Sequence, residues 1–299
     1  MNKPLQVLFW NIMSWGLDPA VASVFHGIQK KQANNQNIPY QFPEPWNGDI
    51  ENAPLIFVGL NPSFTPDEVF PCDDSQEKSP WWTTQNAANS IKINGISLNK
   101  QRIEDFFENR FFTAKYSSGK EYINKKLGVL LHNGRYGNPV RYLKFLEKVM
   151  QFELKNLNAT MGKDCALLEI FPCKSKRCEG LNKKIINNNG YSENIVNNFV
   201  NTHFKKLLDY LLNGKIGTRT FVVLGRMSAE AFYNIIKNID SASAKPSPDF
   251  ASDFDIVWRN RRLETLKASI FGKQIKVVLS YHSSAHNFSF GKYVNNRQP

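Results

Sequence analysis

Four short apolar runs, each closed by turn-forming residues, constrain the fold of this chain more than any other feature: residues 54–60, 165–171, 220–224 and 275–280. Runs this short and this continuously apolar, without the alternation of a half-exposed strand, suit strands buried on both faces of a parallel sheet. Helical patterns lie between them. Residues 198–212 place Phe199, Phe204, Leu207, Leu208 and Leu211 at helical spacing, and 228–236 follow the third run as another helix. Strand and helix in alternation imply right-handed crossovers and an α/β fold, in which ligands sit beyond the carboxyl ends of the strands.

The remaining segments are expected to decorate one domain spanning residues 1–299. The gap at 61–164 is too long for a simple crossover and must hold helices of its own, with candidates at 100–112 and 139–152. Residues 238–255, rich in Ser, Asp, Ala and Pro, are expected to form an exposed loop. The opening stretch, 1–49, is expected to wrap the sheet edge.

Charge narrows the partner class. A formal net charge of +12 and a pI near 9.4 favour a polyanion, and nucleic acid is the leading candidate. The apolar stretch at 7–15 is interrupted by Asn11 and Ser14 and fits neither a signal peptide nor a membrane span, so no membrane is expected and a cytoplasmic location is. Cys72, Cys165, Cys173 and Cys178 form no disulfide framework, and their spacing announces no metal site.

Chemistry-bearing residues follow the first and last runs. After the first comes Gly59-Leu60-Asn61-Pro62-Ser63, where the proline biases Asn61 toward an extended backbone at a strand's carboxyl end. Its amide could orient a water but is no strong base. After the last run come His282, Ser283, Ser284, Ala285, His286 and Asn287, which gather donors where a substrate should lie. In this order the two segments resemble the two signature motifs of the uracil-DNA glycosylase superfamily. Residues 166–171 and 222–225, the latter followed by Ala229, resemble its inner strands.

The resemblance covers about a third of the chain, and it implies a three-layer αβα sandwich around a four-stranded parallel sheet. It also implies a monofunctional DNA glycosylase, which hydrolyses the N-glycosidic bond of a flipped-out base without a cofactor or metal and leaves an abasic site. Asn61 would position the attacking water. His282 would donate to the base oxygen as negative charge develops on the leaving group, a role akin to an oxyanion hole. His286 would enter the stack in place of the extruded nucleotide, with Ser283, Ser284 and Asn287 beside it on the DNA. Gly59 and Leu60 would line the base pocket, Phe70 rather than Trp81 or Trp82 would stack on the base, and the small Ser63 would leave room at C5.

Two positions depart from the family pattern. Glu169 stands where the family reads the base with asparagine, and Cys173 matches one ligand of the iron-sulfur branch without the amino-terminal cysteine pair, which excludes a cluster. Lys174 and Arg226, with Lys176 and Arg177, follow strand ends and are candidates to meet phosphates. The expected protein is a monomer acting on DNA in base-excision repair or in antiviral defence against modified phage DNA. Two alternatives are a catalytically silent DNA-binding module of the same fold and an unrelated nucleotide enzyme; the second would need a Gly-rich phosphate loop, which the sequence lacks.

Overall fold

Two cap residues, each standing close before a proline, start the first helices in the computed structural model, which describes residues 1–36, 40–41, 43–62, 90–93, 96–109, 137–159, 161–175, 193–214, 216–239, 265–280 and 290–295. Helix α1 (Lys3–Gly16) is capped by Asn2, whose side chain accepts from the Leu5 amide at 3.0 Å. Asp18 caps α2 (Pro19–Gln32) by accepting from the Ala20 amide at 2.9 Å. In the first turn the missing N–H of proline costs nothing. Next come β1 (Trp46–Asn47), β2 (Leu55–Gly59), β3 (Ser90–Ile93), β4 (Ile96–Asn99), α3 (Lys100–Asn109), α4 (Gly137–Leu154) and β5 (Cys165–Glu169). Helix α5 (Glu193–Phe199) runs through a π segment (Val200–Phe204) into α6 (Lys205–Asn213). Strand β6 (Thr220–Leu224), α7 (Arg226–Ile239), the hairpin β7 (Thr265–Ile270) and β8 (Lys273–Ser280), and α8 (Phe290–Asn295) complete the described elements.

These elements fall into two compact units, one of Met1–Trp46, Leu60–Phe107 and Glu169–Leu207, the other of Asn47–Gly59, Glu108–Leu168 and Leu208–Pro299. Except for its end residues Trp46 and Glu169, the main sheet belongs to the second unit. All four apolar runs are strands of it. The order is β1-β5-β2-β6-β8-β7, with β2, β6 and β8 mutually parallel and β7 antiparallel to β8. The chain is therefore a mixed α/β protein with a mostly parallel sheet.

The sheet has six strands rather than the four expected. Strand β7 carries Thr265, Lys267 and Ser269 between its apolar residues, so a search for continuous apolar runs passes over it. Phe271 and Gly272, both at positive φ (51° and 71°), join Ile270 to Lys273 in a two-residue turn of the kind that suits the twist of a hairpin. Strand β1, of two residues, is too short to read from a pattern.

Both faces of the central strands are buried. Leu55, Phe57, Leu167, Val222, Leu224 and Val278 pack with Phe145, Leu146, Val149 and Met150 of α4 and with Tyr293 of α8. The alternate residues Ile56, Val58, Ala166, Leu168, Val223, Val277 and Leu279 are buried as well, and Phe221 stacks on Phe232 of α7 at 5.8 Å. Glu153 ties this unit together near its carboxyl terminus. It accepts from the Tyr293 hydroxyl at 2.6 Å and from Lys276 Nζ at 3.0 Å, linking α4 to the elements on either side of residues 281–289.

In the first unit, residues 3–32 of the stretch 1–49 form helices α1 and α2. Phe9 packs edge-on against Trp10 and Trp46, both at 5.3 Å, and Phe171 collects Trp15, Phe25 and Phe199 at 5.2–5.7 Å. Here β3 and β4 form a separate antiparallel pair. Among the described residues no helix is long and apolar enough to cross a membrane.

Arg219 is the polar anchor of the second unit. Its guanidinium, almost fully buried at the start of β6, donates to the carbonyls of Ile50, Glu51 and Ala53 at 2.8, 2.6 and 2.7 Å. Burial pulls its pKa down to about 10, which leaves it cationic at neutral pH. Arg219→Met should strand those carbonyls and cost about 3 kcal/mol in urea unfolding, on the scale of about 1–3 kcal/mol per unsatisfied buried group. A change below about 1 kcal/mol, the net worth of one hydrogen bond, would show that the 49–53 turn finds other donors.

Candidate functional site

Strand order marks a candidate position for a ligand before any side chain is considered. Numbered by the four expected runs, the sheet reads second, first, third, fourth, so the direction of crossover reverses between β2 and β6. In open α/β sheets ligands enter beyond the carboxyl ends at such a reversal. Gly59 and Leu224 end the two strands there. Beyond Leu224, Gly225 takes φ 88°, a left-handed conformation that suits glycine, and its amide donates to Ser280 O at 2.7 Å. Arg226 then opens α7.

Gly59 leads directly into Leu60, Asn61 and Pro62, which belong to the first unit. There the segment 171–175 runs alongside them. The Phe171 amide donates to Leu60 O at 2.9 Å and the Ser175 amide to Pro62 O at 3.2 Å, and between these two bonds the Asn61 side chain reaches across. Its Nδ2 lies 3.2 Å from Pro62 O, 3.3 Å from Cys173 O, 3.2 Å from Ser175 O and 3.0 Å from Ser175 Oγ. Three of those four acceptors are carbonyls, which cannot donate. Turning the amide over would set oxygen against oxygen, so the amide is fixed with its nitrogen inward. Asn61 Oδ1 is buried, and among the described residues no donor reaches it. A buried acceptor left without a donor costs about 1–3 kcal/mol, and native proteins seldom keep one without a role.

Glu169 ends β5 and is buried, at 8% exposure. Cys173, two residues past Phe171, is buried, and burial pushes its thiol well above the ordinary cysteine range, so it stays neutral and a poor ligand. Among the described residues no group of three His, Cys, Asp or Glu side chains is placed to hold a metal.

Lys174 corrects the sequence reading. It is not offered to a phosphate: the side chain is 1% exposed and pairs with Glu44, itself buried, at 2.5 Å. Lysine after a strand end looks like a phosphate contact in sequence, but here its aliphatic stem and its charge are both taken inward. Ser63, Phe70, Trp81, Trp82, Lys176, Arg177, His282, Ser283, Ser284, His286 and Asn287 lie outside the described residues.

Two side chains at this strand end carried no sequence signal. Ser175 sits beside a basic run that drew the reading toward charge, and Gln29 of α2 is one glutamine among many. His203, in the π segment, stacks on Phe199 at 5.6 Å and lies 6.2 Å from Trp15. Burial, then the nearby charge of Lys206, lowers its pKa. Helical irregularities of this kind often mark functional positions.

No family model, curated protein or solved structure matches this chain.

The Lys174–Glu44 pair generates a stability test. Lys174→Met leaves a buried carboxylate without its cation and should cost about 3–5 kcal/mol in denaturant unfolding. Adding Glu44→Gln removes the stranded charge and should recover much of that loss. Equal losses in the single and double variants would show that packing, not charge, holds the pair.

Proposed function

We propose that the chain is a DNA glycosylase that hydrolyses the N-glycosidic bond of a flipped-out pyrimidine and leaves an abasic site. The observation that carries this reading is Asn61, a carboxamide whose nitrogen is held by four acceptors and whose buried oxygen has no donor among the described residues, two residues past the end of β2. Such an oxygen orients a water by accepting one of its hydrogens, and it does no more than orient. The GLNPS and HSSAHN resemblance supplies the second half of the reaction. His282 donates to the base oxygen while positive charge grows on the sugar, a fixed donor at the site of developing charge.

In this reading the sheet is the middle layer of an αβα sandwich, with the four apolar runs as its catalytic core. The partner is DNA, bound by a monomer in the cytoplasm, in repair or in defence against modified foreign DNA. Arg226, His286, Ser283, Ser284 and Asn287 meet the strand, and Phe70 stacks on the base. No lysine takes a nucleophile role, so the product is an intact strand with an abasic site.

Glu169 and Ser63 choose the base. An ionised glutamate only accepts hydrogen bonds, so it repels uracil O4 and accepts from the N4 amino group of cytosine, as carboxylates do when they read cytosine in a groove. The small Ser63 leaves room for a substituent at C5. The substrate is a cytosine-like, C5-substituted base.

Two experiments test this. Matched single strands and duplexes carrying uracil, a thymine mismatch, cytosine, 5-hydroxymethylcytosine or its glucosylated form should show alkali-labile abasic sites on the modified cytosines, in the presence of chelator. Strong uracil release without action on modified cytosine would overturn the specificity, and spontaneous nicking or no base release at all would overturn the reaction. In single-turnover assays Asn61→Ala and His282→Ala should each slow release by about 10² or more with little change in DNA affinity, the scale of losing one preorganised transition-state group.

A further inference from the structure

The acceptors around Asn61 Nδ2 are themselves held in place, residue by residue. Phe171 donates its amide to Leu60 O at 2.9 Å, and Pro172 O accepts from the Glu44 amide at 2.8 Å. Cys173 O and Ser175 O face Asn61 Nδ2. Lys174 O accepts from Gln29 Nε2 at 3.2 Å, while Gln29 also bonds both ways with the Gln41 backbone. The Lys174–Glu44 pair then fixes the side chain in the middle of the segment. Segment 171–175 is thus tied from α2, from residues 41–44 and from residues 60–62, all within the first unit. It forms a rigid frame, and what that frame presents to residue 61 is almost wholly acceptors.

We propose that this frame makes position 61 an amide-only position, and that Ser175 is its positioning residue: the carbonyls of Pro62, Cys173 and Ser175 admit an N–H donor and reject an oxygen, while the Ser175 hydroxyl completes the cradle. The proposal rests on Asn61 as the water-positioning residue and states why that residue is an asparagine. A carboxylate in the same place meets three carbonyl oxygens at the distances now occupied by Nδ2. Of the four acceptors only the Ser175 hydroxyl can turn to donate, because a hydroxyl both gives and accepts. An aspartate at this position is therefore driven toward its protonated form, which donates to the carbonyls, and it loses the charge that would make it a base. The charged groups on the elements packed here do not reverse this. Lys174 is neutralised by Glu44, the Cys173 thiol is neutral, and Glu169, when ionised, pushes the same way. His203, which stacks on Phe199, itself against Phe171, is held toward its neutral form by burial and then by Lys206.

Side-chain amide exchange in the wild-type chain is the first test and needs no substrate. The Asn61 Nδ2 protons should exchange more slowly than those of exposed asparagines, and Ser175→Ala should speed them by about five-fold, the factor carried by one ordinary hydrogen bond. Carbon-13 titration of Asn61→Asp should place the new carboxyl above the ordinary aspartate value of about 3.9, and Asn61→Asp with Ser175→Ala should raise it further. Below that raised pKa the introduced carboxyl is neutral, so the base-release rate of the Asn61→Asp variant should climb with pH through it, whereas the asparagine enzyme shows no such limb. A carboxyl in the Asn61→Asp variant that titrates at or below the ordinary value, or a Ser175→Ala change that moves neither exchange nor titration, would overturn the frame. If exchange and titration behave as expected while no DNA loses a base, the frame stands and the glycosylase reading falls.

Discussion

A parallel sheet buried on both faces leaves its polar backbone nowhere to go except along the ladder and out at the strand ends. Ile56, Phe57 and Val58 of β2 are all fully buried, so the first places where this chain can offer a hydrogen-bonding side chain along β2 lie past Gly59. At that end the backbone bonding does not stop with the strands. Phe171 N to Leu60 O and Ser175 N to Pro62 O carry it on, and Pro62, which has no N–H to give, can only accept. The Asn61 amide fills the interval between those two bonds. Its position follows from the sheet's need to end somewhere with its carbonyls satisfied.

Other buried polar groups in the chain show what an ordinary solution looks like. Arg219 spends its fork on three carbonyls, Glu153 accepts from Tyr293 and Lys276, and Lys174 meets Glu44. Each holds two or more segments together, and each is explained by that. Asn61 begins the same way, since its nitrogen joins residues 62, 173 and 175; its oxygen, like Arg219 Nε and Asn47 Oδ1, is buried with no hydrogen-bond partner among the described residues, and what sets it apart is its place just past the end of β2. A purely structural role would be served by the nitrogen alone. The free half of the side chain and its place just past the carboxyl end of β2 together single this residue out.

Much of this was legible in the sequence, and the failures have physical causes. The four apolar runs became strands because continuous apolar character over five to seven residues has few other outcomes in an α/β chain. Helix α7 and the α5–π–α6 run were visible from their 3.6-residue spacing. The hairpin strand β7 was missed because an edge strand alternates polar residues, and its turn uses Phe271 where asparagine or aspartate would have advertised it. The two opening helices were missed although their signals were present: Asn2 before Lys3-Pro4, and Asp18 before Pro19, each a cap followed by a proline. Asn61 could be singled out because Pro62 follows it after an apolar run. Ser175 could not, since its role depends on a register between two strand ends far apart in the chain, and register is a tertiary property. Lys174 was misread because sequence reports a charge without reporting where it is placed.

The burial of Lys174 bears on the net charge as well. The formal +12 counts Lys174 and Arg219 as though both were available to a polyanion, yet both are buried and committed to protein acceptors. The pair with Glu44 cancels and leaves the total unchanged, while Arg219, whose hydrogen bonds among the described residues go to carbonyls and whose charge has Asp49 and Glu51 nearby, keeps its charge inside the second unit. In the proposed function the cations that meet DNA are therefore fewer than the sum suggests, and they must come from surface lysines and arginines. The same economy applies to the chemistry. An amide oxygen orients a water without taking its proton, so in the proposed function acceleration of bond cleavage has to come from the leaving-group side, where His282 would answer the charge growing on the base. In that reading the site depends on how well the departing base can carry negative charge, and its choice of substrate would be made by the groups proposed to read the base, Glu169 foremost, more than by the water.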